Sequence, residues 1–150
     1  MFAIITSDRF REHTPPPGHP EHPQRAEVMR NVAEAWRAHG GCVVEPRPAT
    51  REELSRVHDE RYLELIADTA GRAVRLDPDT FTSSESHEIA QLAAGAALTA
   101  VDRIIGHSRA AGPPQRGCRA GVPGPASGTP LAGAPELSRA FAFVRPPGAR

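Results

Sequence analysis

Histidine and carboxylate side chains, which can bind metals or transfer protons, are concentrated near the start of the chain. His13, His19 and His22, with Glu21 between the last two, are residue types that bind zinc. Two histidines that share one ion commonly lie four residues apart on a helix, and the five prolines between residues 11 and 23 prevent a helix there. This spacing favours structural roles and roles at the rim of a site over a metal centre.

Three further positions carry residue types that take part in binding or catalysis. Asp77 and Asp79 flank a proline on a predicted loop. A carboxylate pair can bind a cation or a polar ligand, although most such pairs shape turns. His58 precedes a predicted helix, where a lone histidine is more often hydrogen-bonded structure than a catalyst. Each of these motifs is weak on its own.

The composition excludes several classes of protein. Eighteen basic residues balance eighteen acidic ones, so no net field directs the chain to nucleic acid or to an anionic membrane. The first apolar run is too short for a signal peptide, and no stretch approaches the ~20 apolar residues of a membrane span. Cys42 and Cys118 lie far apart, which indicates neither a disulfide framework nor a Cys-x-x-Cys metal site. We expect a soluble, cytoplasmic protein.

The first elements are predicted from the periodicity of apolar residues. An apolar strand over residues 1–5 opens into the proline-rich loop, and Pro23 is a favourable first residue for a helix. That helix is expected to stop at Gly40 and Gly41 and to be followed by a second strand over 42–44. Its predicted apolar face consists of Met29, Val32, Ala33 and Trp36.

Capping residues predict two helices in the middle of the chain. Thr50 and Glu53 have the spacing of a capping box, so a short helix is expected to begin there. Asp59 can cap the next helix, which is expected to end near Gly71. The predicted face of this second helix consists of Tyr62, Leu65, Ile66 and Thr69.

The second half of the chain predicts a long helix, a disordered segment and a strand. Residues 84–105 keep a helical period, and the alanines with Gly95 favour close packing on a neighbour. The glycine- and proline-rich stretch 106–135 is expected to be disordered. Residues 140–144 form an apolar run typical of a strand that is buried on both faces. Alternating strands and helices predict an α/β fold with a mostly parallel sheet.

Ligands of such sheets bind beyond the carboxyl ends of the strands. The loops after Ile5 and after Val144 are therefore expected to share one edge of the sheet.

The order of these motifs resembles the histone deacetylase superfamily, in particular bacterial class II-like deacetylases, acetoin-utilisation proteins and acetylpolyamine amidohydrolases. The resemblance covers residues 1 to about 105 and 140–148. The motifs that carry it, in chain order, are His13, the loop 17–23 with Arg25, Val57-His58 before Tyr62, Leu76-Asp77-Pro78-Asp79-Thr80, Ala94-Gly95-Ala96-Ala97, and Phe143-Val144-Arg145-Pro146-Pro147-Gly148.

The resemblance implies an arginase-like, deacetylase-like fold, here as an incomplete, N-terminal part only. It also implies a zinc-dependent family that hydrolyses N-acetyl-lysine or acetylpolyamine amides. Asp79 matches a loop aspartate that binds the substrate backbone, and Arg25 matches an arginine of the acetate-release channel. Pro147 and Gly148 match the wall of the substrate tunnel.

The chain departs from the family after Gly148. Ala149 and Arg150 stand where the family has paired histidines, and neither side chain can act as a general base. The family's downstream zinc ligands and oxyanion tyrosine have no counterpart. We therefore expect no catalytic residue, no metal ligand and no bound zinc in this chain alone, and a truncated family member that is inactive by itself.

Two alternatives stay open at this point. The chain could be a non-catalytic binding module for acetyl-lysine, or half of a split enzyme that a second polypeptide completes. The expected organisation is a first part of the deacetylase domain at 1–105, a disordered insertion at 106–139, and a truncated strand and loop at 140–150. The composition of the insertion and the end at Arg150 fit a gene read out of frame, which resequencing would test.

Overall fold

The computed structural model describes residues 2–19, 21–105 and 139–144. Strands and helices alternate along these residues, which confirms the predicted α/β class. A short 3-10 helix, Asp8–Arg11, follows the first strand. The other elements, in chain order, are β1 (Phe2–Ile5), α1 (Gln24–Ala38), β2 (Cys42–Val44), α2 (Arg51–Ser55), α3 (Glu60–Ala67), α4 (Ser86–Ile104) and β3 (Arg139–Ala142).

The three strands form a parallel sheet in the order β2-β1-β3. β1 lies in the middle, with Ala3 opposite both Cys42 and Ala140. Parallel neighbours require connections that cross a face of the sheet, and α1 lies in the connection from β1 to β2. The predicted parallel sheet is confirmed for the part of the chain that the structure describes.

Alternation of side chains along β1 gives the sheet two apolar faces. On one face Ile4 and Val43 pack with Ala33 and Trp36 of α1. On the other face the apolar surface of α4 covers the sheet, with Phe10 from the 3-10 helix beside it. The buried apolar residues of this second face are Ala3, Ile5, Phe10, Ala26, Cys42, Val44, Ile89, Leu92, Ala93, Ala96 and Ala100.

Local capping signals set the helix boundaries. Thr50 and Glu53 form the predicted capping box, and the Asp59 carboxylate accepts a hydrogen bond from the backbone N–H of Arg61. Gly40, at φ +81°, terminates α1 in a conformation that L side chains rarely adopt. All three predictions are confirmed. They could be made from sequence because each capping residue acts on positions close to it along the chain.

The irregular segment 45–50, between β2 and α2, packs its backbone directly on α4. The N–H of Ala49 donates to the carbonyl of Gln91 at 2.9 Å, and the N–H of Arg47 donates to the hydroxyl of Thr99 at 3.4 Å. A Cβ atom added at Gly95 would lie 1.8 Å from the carbonyl oxygen of Arg47. The expected close packing at Gly95 is thus confirmed, and its partner is backbone.

The predicted faces of the two shorter amphipathic helices are partly wrong. In α3 the buried apolar residue is Leu63, whereas Tyr62 and Leu65 are 48% and 57% exposed. In α1 Ala33 is buried as predicted, but Val32 is 47% exposed. α1 packs on β2, whereas α3 packs on the short helix α2, and neither neighbour covers the whole predicted face of the helix.

Two further expectations are corrected. β3 is not buried on both faces, because Phe141 is 56% exposed. Cys42 is disulfide-bonded, which its sequence spacing did not predict. The expected disordered segment at 106–135 lies outside the described residues. No helix among the described residues is long and apolar enough to cross a membrane.

Candidate functional site: the rim loops at the carboxyl edge of the sheet

The carboxyl ends of β1 and β3 lie side by side, as their parallel pairing requires. The N–H of Phe143 donates to the carbonyl of Ile5 at 2.8 Å, and the hydroxyl of Thr6 donates back to the carbonyl of Phe143 at 3.1 Å. The two strand ends predicted to share an edge therefore do so up to Val144. Residues 145–150 lie outside the described part of the chain.

Polar side chains gather where β1 and β2 end. Ser7 lies two residues after β1, and Glu45 directly follows β2. Desolvation raises the pKa of the Glu45 carboxyl, the nearby Ser7 hydroxyl opposes this rise, and the negative charge of Asp8 adds to it. Polar groups at this edge occupy the position where parallel sheets bind ligands.

Two loops flank this edge, and we call them the rim loops. The first rim loop comprises residues 12–19 and 21–23, and the second comprises residues 72–82. In the second rim loop Arg75 and Phe81 form an isolated antiparallel bridge, and the side chain of Thr82 bonds the backbone of Arg72 and Val74. The second rim loop is therefore closed at its base by hydrogen bonds.

A tight turn at the tip of the second rim loop carries both predicted carboxylates. The Asp77 carboxylate accepts hydrogen bonds from the N–H groups of Asp79 and Thr80, both at 2.8 Å. Asp77 thus shapes the turn, which is the common role of such residues. Asp79 is exposed beside it, at the tip of the loop. The structure thus places the two exposed carboxylates together on one turn.

The two rim loops meet in a cluster that we call the histidine junction, formed by His13, His19, Glu21, Phe81 and Ser86. His13 is fully buried, and its Nδ1 lies 2.6 Å from the Oγ of Ser86 at the start of α4. Its Nε2 lies 3.7 Å from a carboxylate oxygen of buried Glu21. His13 therefore has a structural place in the fold.

Aromatic contacts complete the histidine junction. The Phe81 ring stacks on the His13 ring at a centroid distance of 5.7 Å and an interplanar angle of 12°. The His19 ring meets Phe81 edge-on at 4.5 Å, and its Nδ1 accepts a hydrogen bond from the N–H of Glu21. Phe81, from the second rim loop, thus contacts two histidines of the first.

The remaining predicted site residues are distributed as follows. Arg25 is exposed in the first turn of α1, directly after the first rim loop. His58 is exposed, with its ring 5.3 Å from that of Tyr62, and it lies outside the histidine junction. The positions predicted for the tunnel wall and for the paired histidines, Pro147, Gly148, Ala149 and Arg150, lie outside the described residues.

The described residues do not offer a zinc site. Across 2–19, 21–105 and 139–144, no three His, Cys, Asp or Glu side chains come together in a way that could hold a metal ion. His13 and His19 use ring nitrogens in hydrogen bonds within the histidine junction. We therefore derive no chemical step through a metal from these residues.

The model of the histone deacetylase domain matches residues 19–149, which is most of the chain. The chain belongs to the histone deacetylase family. Its fold agrees with this assignment, because the crystal structure of the HDA15 HD domain superimposes with a TM-score of 0.65 over 97% of this chain, at 22% sequence identity. The predicted arginase-like, deacetylase-like fold is thereby confirmed.

Relatives of this deacetylase-family chain are considerably longer than the chain itself. It is 34% identical over 118 residues to the uncharacterized protein slr0245 of Synechocystis sp. (strain ATCC 27184 / PCC 6803 / Kazusa), a match that covers 73% of this chain and 38% of the relative. It covers 35% of the HDA15 HD domain chain. The chain thus spans little more than a third of the length of these relatives.

Sequence reasoning missed two members of this deacetylase-family site. Phe81 follows Asp79 by two residues, and Ser86 begins the alanine-rich helix, yet neither lies in a motif that predicts contact with His13. The available signal was weak: an aromatic residue and a run of serines flank the start of a helix. Their contacts with His13 span 68 and 73 residues of sequence and depend on how α4 packs.

Proposed function

We propose that this chain provides the substrate rim of a zinc-dependent deacetylase domain that acts on N-acetyl-lysine or a related acetylamide such as an acetylpolyamine. Membership of the histone deacetylase family supports the class of reaction. The turn at 77–80, which presents Asp79 at the tip of the second rim loop, is the observation that carries the proposal.

The chemistry of Asp79 suits a peptide-like substrate. An exposed carboxylate is a strong acceptor for backbone N–H groups, and charge-assisted hydrogen bonds are about twice as strong as neutral ones. Asp77 holds the turn by accepting two backbone hydrogen bonds, so the direction of the loop tip does not depend on substrate. Asp79 is thus our proposed substrate-binding residue.

Arg25 and the residues after Val144 complete the proposed site. Arg25 is an exposed guanidinium beside the first rim loop, and a guanidinium can hold an acetate ion through two parallel hydrogen bonds. We assign Arg25 to acetate release and Pro147 with Gly148 to the wall of the substrate tunnel. Both assignments rest on the motif matches in the sequence.

We assign substrate binding to this chain, but not hydrolysis of the substrate. Zinc in this family supplies a Lewis acid that polarises the acetyl carbonyl. Ala149 and Arg150, which follow the proposed tunnel residues, have no side chain that accepts a proton at neutral pH. We propose that the chain alone binds the substrate without hydrolysing it.

Peptide binding tests the proposed rim. The purified chain is titrated with a short fluorescent peptide that contains N-acetyl-lysine, and with the same peptide carrying unmodified lysine. We expect saturable binding of the acetylated peptide, and Asp79→Asn should weaken it about 10-fold because a charged acceptor is lost.

The matched control is Asp68→Asn, which removes an exposed carboxylate at the end of α3, outside both rim loops. Asp68→Asn should leave the affinity unchanged. Equal affinities of the wild-type chain and Asp79→Asn would refute the role of Asp79. Absence of any preference for the acetylated peptide would refute the proposed substrate class.

A further inference from the structure

The two rim loops are joined by buried contacts rather than by chain connectivity. His13 lies in the first rim loop, Phe81 lies in the second, and their rings stack at 5.7 Å. Ser86 anchors His13 to the start of α4 through a 2.6 Å contact. Since His13 is completely buried, its ring has no room to leave this position without opening the core.

The hydrogen bonding of His13 is consistent with a single ring orientation. The Ser86 hydroxyl accepts from the N–H of Ser83 at 2.6 Å, and it can donate its own proton to Nδ1 of His13. The Nε2 atom then carries the ring proton and points toward the Glu21 carboxylate at 3.7 Å. This arrangement orients the face of the imidazole toward Phe81.

We propose that His13 and Phe81 are positioning residues that set the direction of Asp79 at the rim. Phe81 lies two residues beyond Asp79, and its bridge to Arg75 closes the loop that carries the carboxylate. Fixing Phe81 against His13 therefore fixes the base of the Asp79 turn relative to the first rim loop. This inference rests on the proposed function, because it assigns the two residues to the same substrate site.

The test separates ring stacking from folding. Phe81→Leu keeps an apolar side chain at a half-buried position but removes the ring, whereas Phe81→Tyr keeps the ring. His13→Asn keeps a polar atom near the position of Nδ1 but removes the stacked face. Binding of the N-acetyl-lysine peptide is measured for each variant below its melting temperature. Amide hydrogen exchange is measured over 76–80, where every residue except Pro78 has an N–H.

We expect Phe81→Leu and His13→Asn to weaken peptide binding roughly 2- to 10-fold, the range that corresponds to loss of one aromatic pair. Exchange of amides 76–80 should become faster in both variants, while exchange within α1 stays unchanged. Phe81→Tyr should leave both the peptide affinity and the exchange of amides 76–80 close to those of the wild-type chain. A purely structural role would instead lower the melting temperature of Phe81→Leu without selective exchange in the loop.

His39→Asn is the matched control, because His39 is exposed at the end of α1, outside both rim loops and the histidine junction, and it should leave both readouts unchanged. The proposal is overturned if Phe81→Leu leaves the exchange of amides 76–80 and the peptide affinity as in the wild-type chain. If His13→Asn does not fold, Phe81→Leu decides the question alone. If the wild-type chain binds no peptide, the proposed function fails, and amide exchange still tests the positioning of the loop.

Discussion

Glu53 has two structural roles at the start of α2. Its carboxylate accepts two hydrogen bonds from Arg47, at 2.7 and 2.8 Å, and one from the N–H of Thr50 at 2.9 Å. These hydrogen bonds, first those from Arg47 and then that from Thr50, lower the pKa of Glu53 from 4.5 to about 2. Arg47 lies in the segment that packs on α4, so Glu53 also ties α2 to that segment.

Replacement of Glu53 should make the stability of the chain less dependent on acid pH. The folded-state pKa lies below the ordinary value, so the stabilising contribution is complete above about pH 4.5 and is lost as the pH falls toward 2. We expect Glu53→Gln to lower the free energy of unfolding by about 1–2 kcal/mol at pH 7. Urea unfolding at several pH values measures this difference.

Glu52→Gln is the control for this prediction. Glu52 is on the same helix with its side chain 84% exposed, and its ion pair with Arg56 lies at the surface. Exposed ion pairs contribute little to protein stability. Glu52→Gln should therefore change the free energy of unfolding by less than about 0.5 kcal/mol. A Glu53→Gln effect that stays constant between pH 7 and pH 3 would contradict the assigned pKa.

Single residues differ in how far sequence alone predicts their roles. Asp59 and Thr50 act on backbone N–H groups two and three residues away, so their motifs are sufficient. The burial of His13 was not predicted, because five prolines indicated a surface loop around it. Its burial depends on Ser86, which is distant in sequence and close only after α4 has packed.

At the scale of elements, α4 contacts the segment after β2 more closely than a side chain would allow. Gly95 faces the backbone of Arg47 and Ala49, and an added Cβ would lie 1.8 Å and 2.7 Å from their nearest atoms. Both neighbouring atoms belong to backbone that is hydrogen-bonded to α4. The glycine thus permits the contact that holds this segment on the helix.

Gly95→Ala should destabilise the protein although alanine favours helices. Helix propensity alone would raise the free energy of unfolding by up to about 1 kcal/mol. The clash with backbone should reverse the sign and lower it by about 3 kcal/mol, since the helix and the segment must separate. Thermal or urea unfolding of the variant measures the change.

Ala97→Gly, at an exposed position of the same helix, measures the effect of helix propensity on the free energy of unfolding without a change in packing. We expect it to lower stability by about 1 kcal/mol. A Gly95→Ala variant as stable as the wild-type chain would show that α4 and the backbone of Arg47 do not pack as closely as described.

The helices and strands were predictable, because strong periodicity and local caps specify them. The faces that the helices bury were not predictable. The alanine-rich helix and the strand at 42–44 were identified from sequence and lie where expected. Tyr62 and Leu65 were assigned to one side of α3, yet both are exposed, and Leu63 is the apolar residue that α3 buries. Which side of a short helix is covered depends on its tertiary neighbours, which periodicity cannot specify.

At the scale of the whole molecule, the parallel sheet places the proposed site at one edge. The ends of β1 and β3 meet there, and the rim loops flank them. The fold class and this edge were predictable, since parallel α/β sheets bind ligands beyond the carboxyl ends of their strands. The histidine junction was not, because it joins three segments that are separate in sequence.

Substrate binding, which we assign to this chain, is distinct from hydrolysis, which we do not assign to it. Zinc content and turnover test this distinction most directly. The purified 150-residue chain is analysed for bound metal after incubation with zinc and is then assayed with a fluorogenic acetyl-lysine substrate, with and without a chelator. We predict no stoichiometric zinc and no hydrolysis above the rate of a chain-free control. One zinc ion per chain, together with turnover that the chelator abolishes, would contradict the proposal that the chain binds substrate without hydrolysing it.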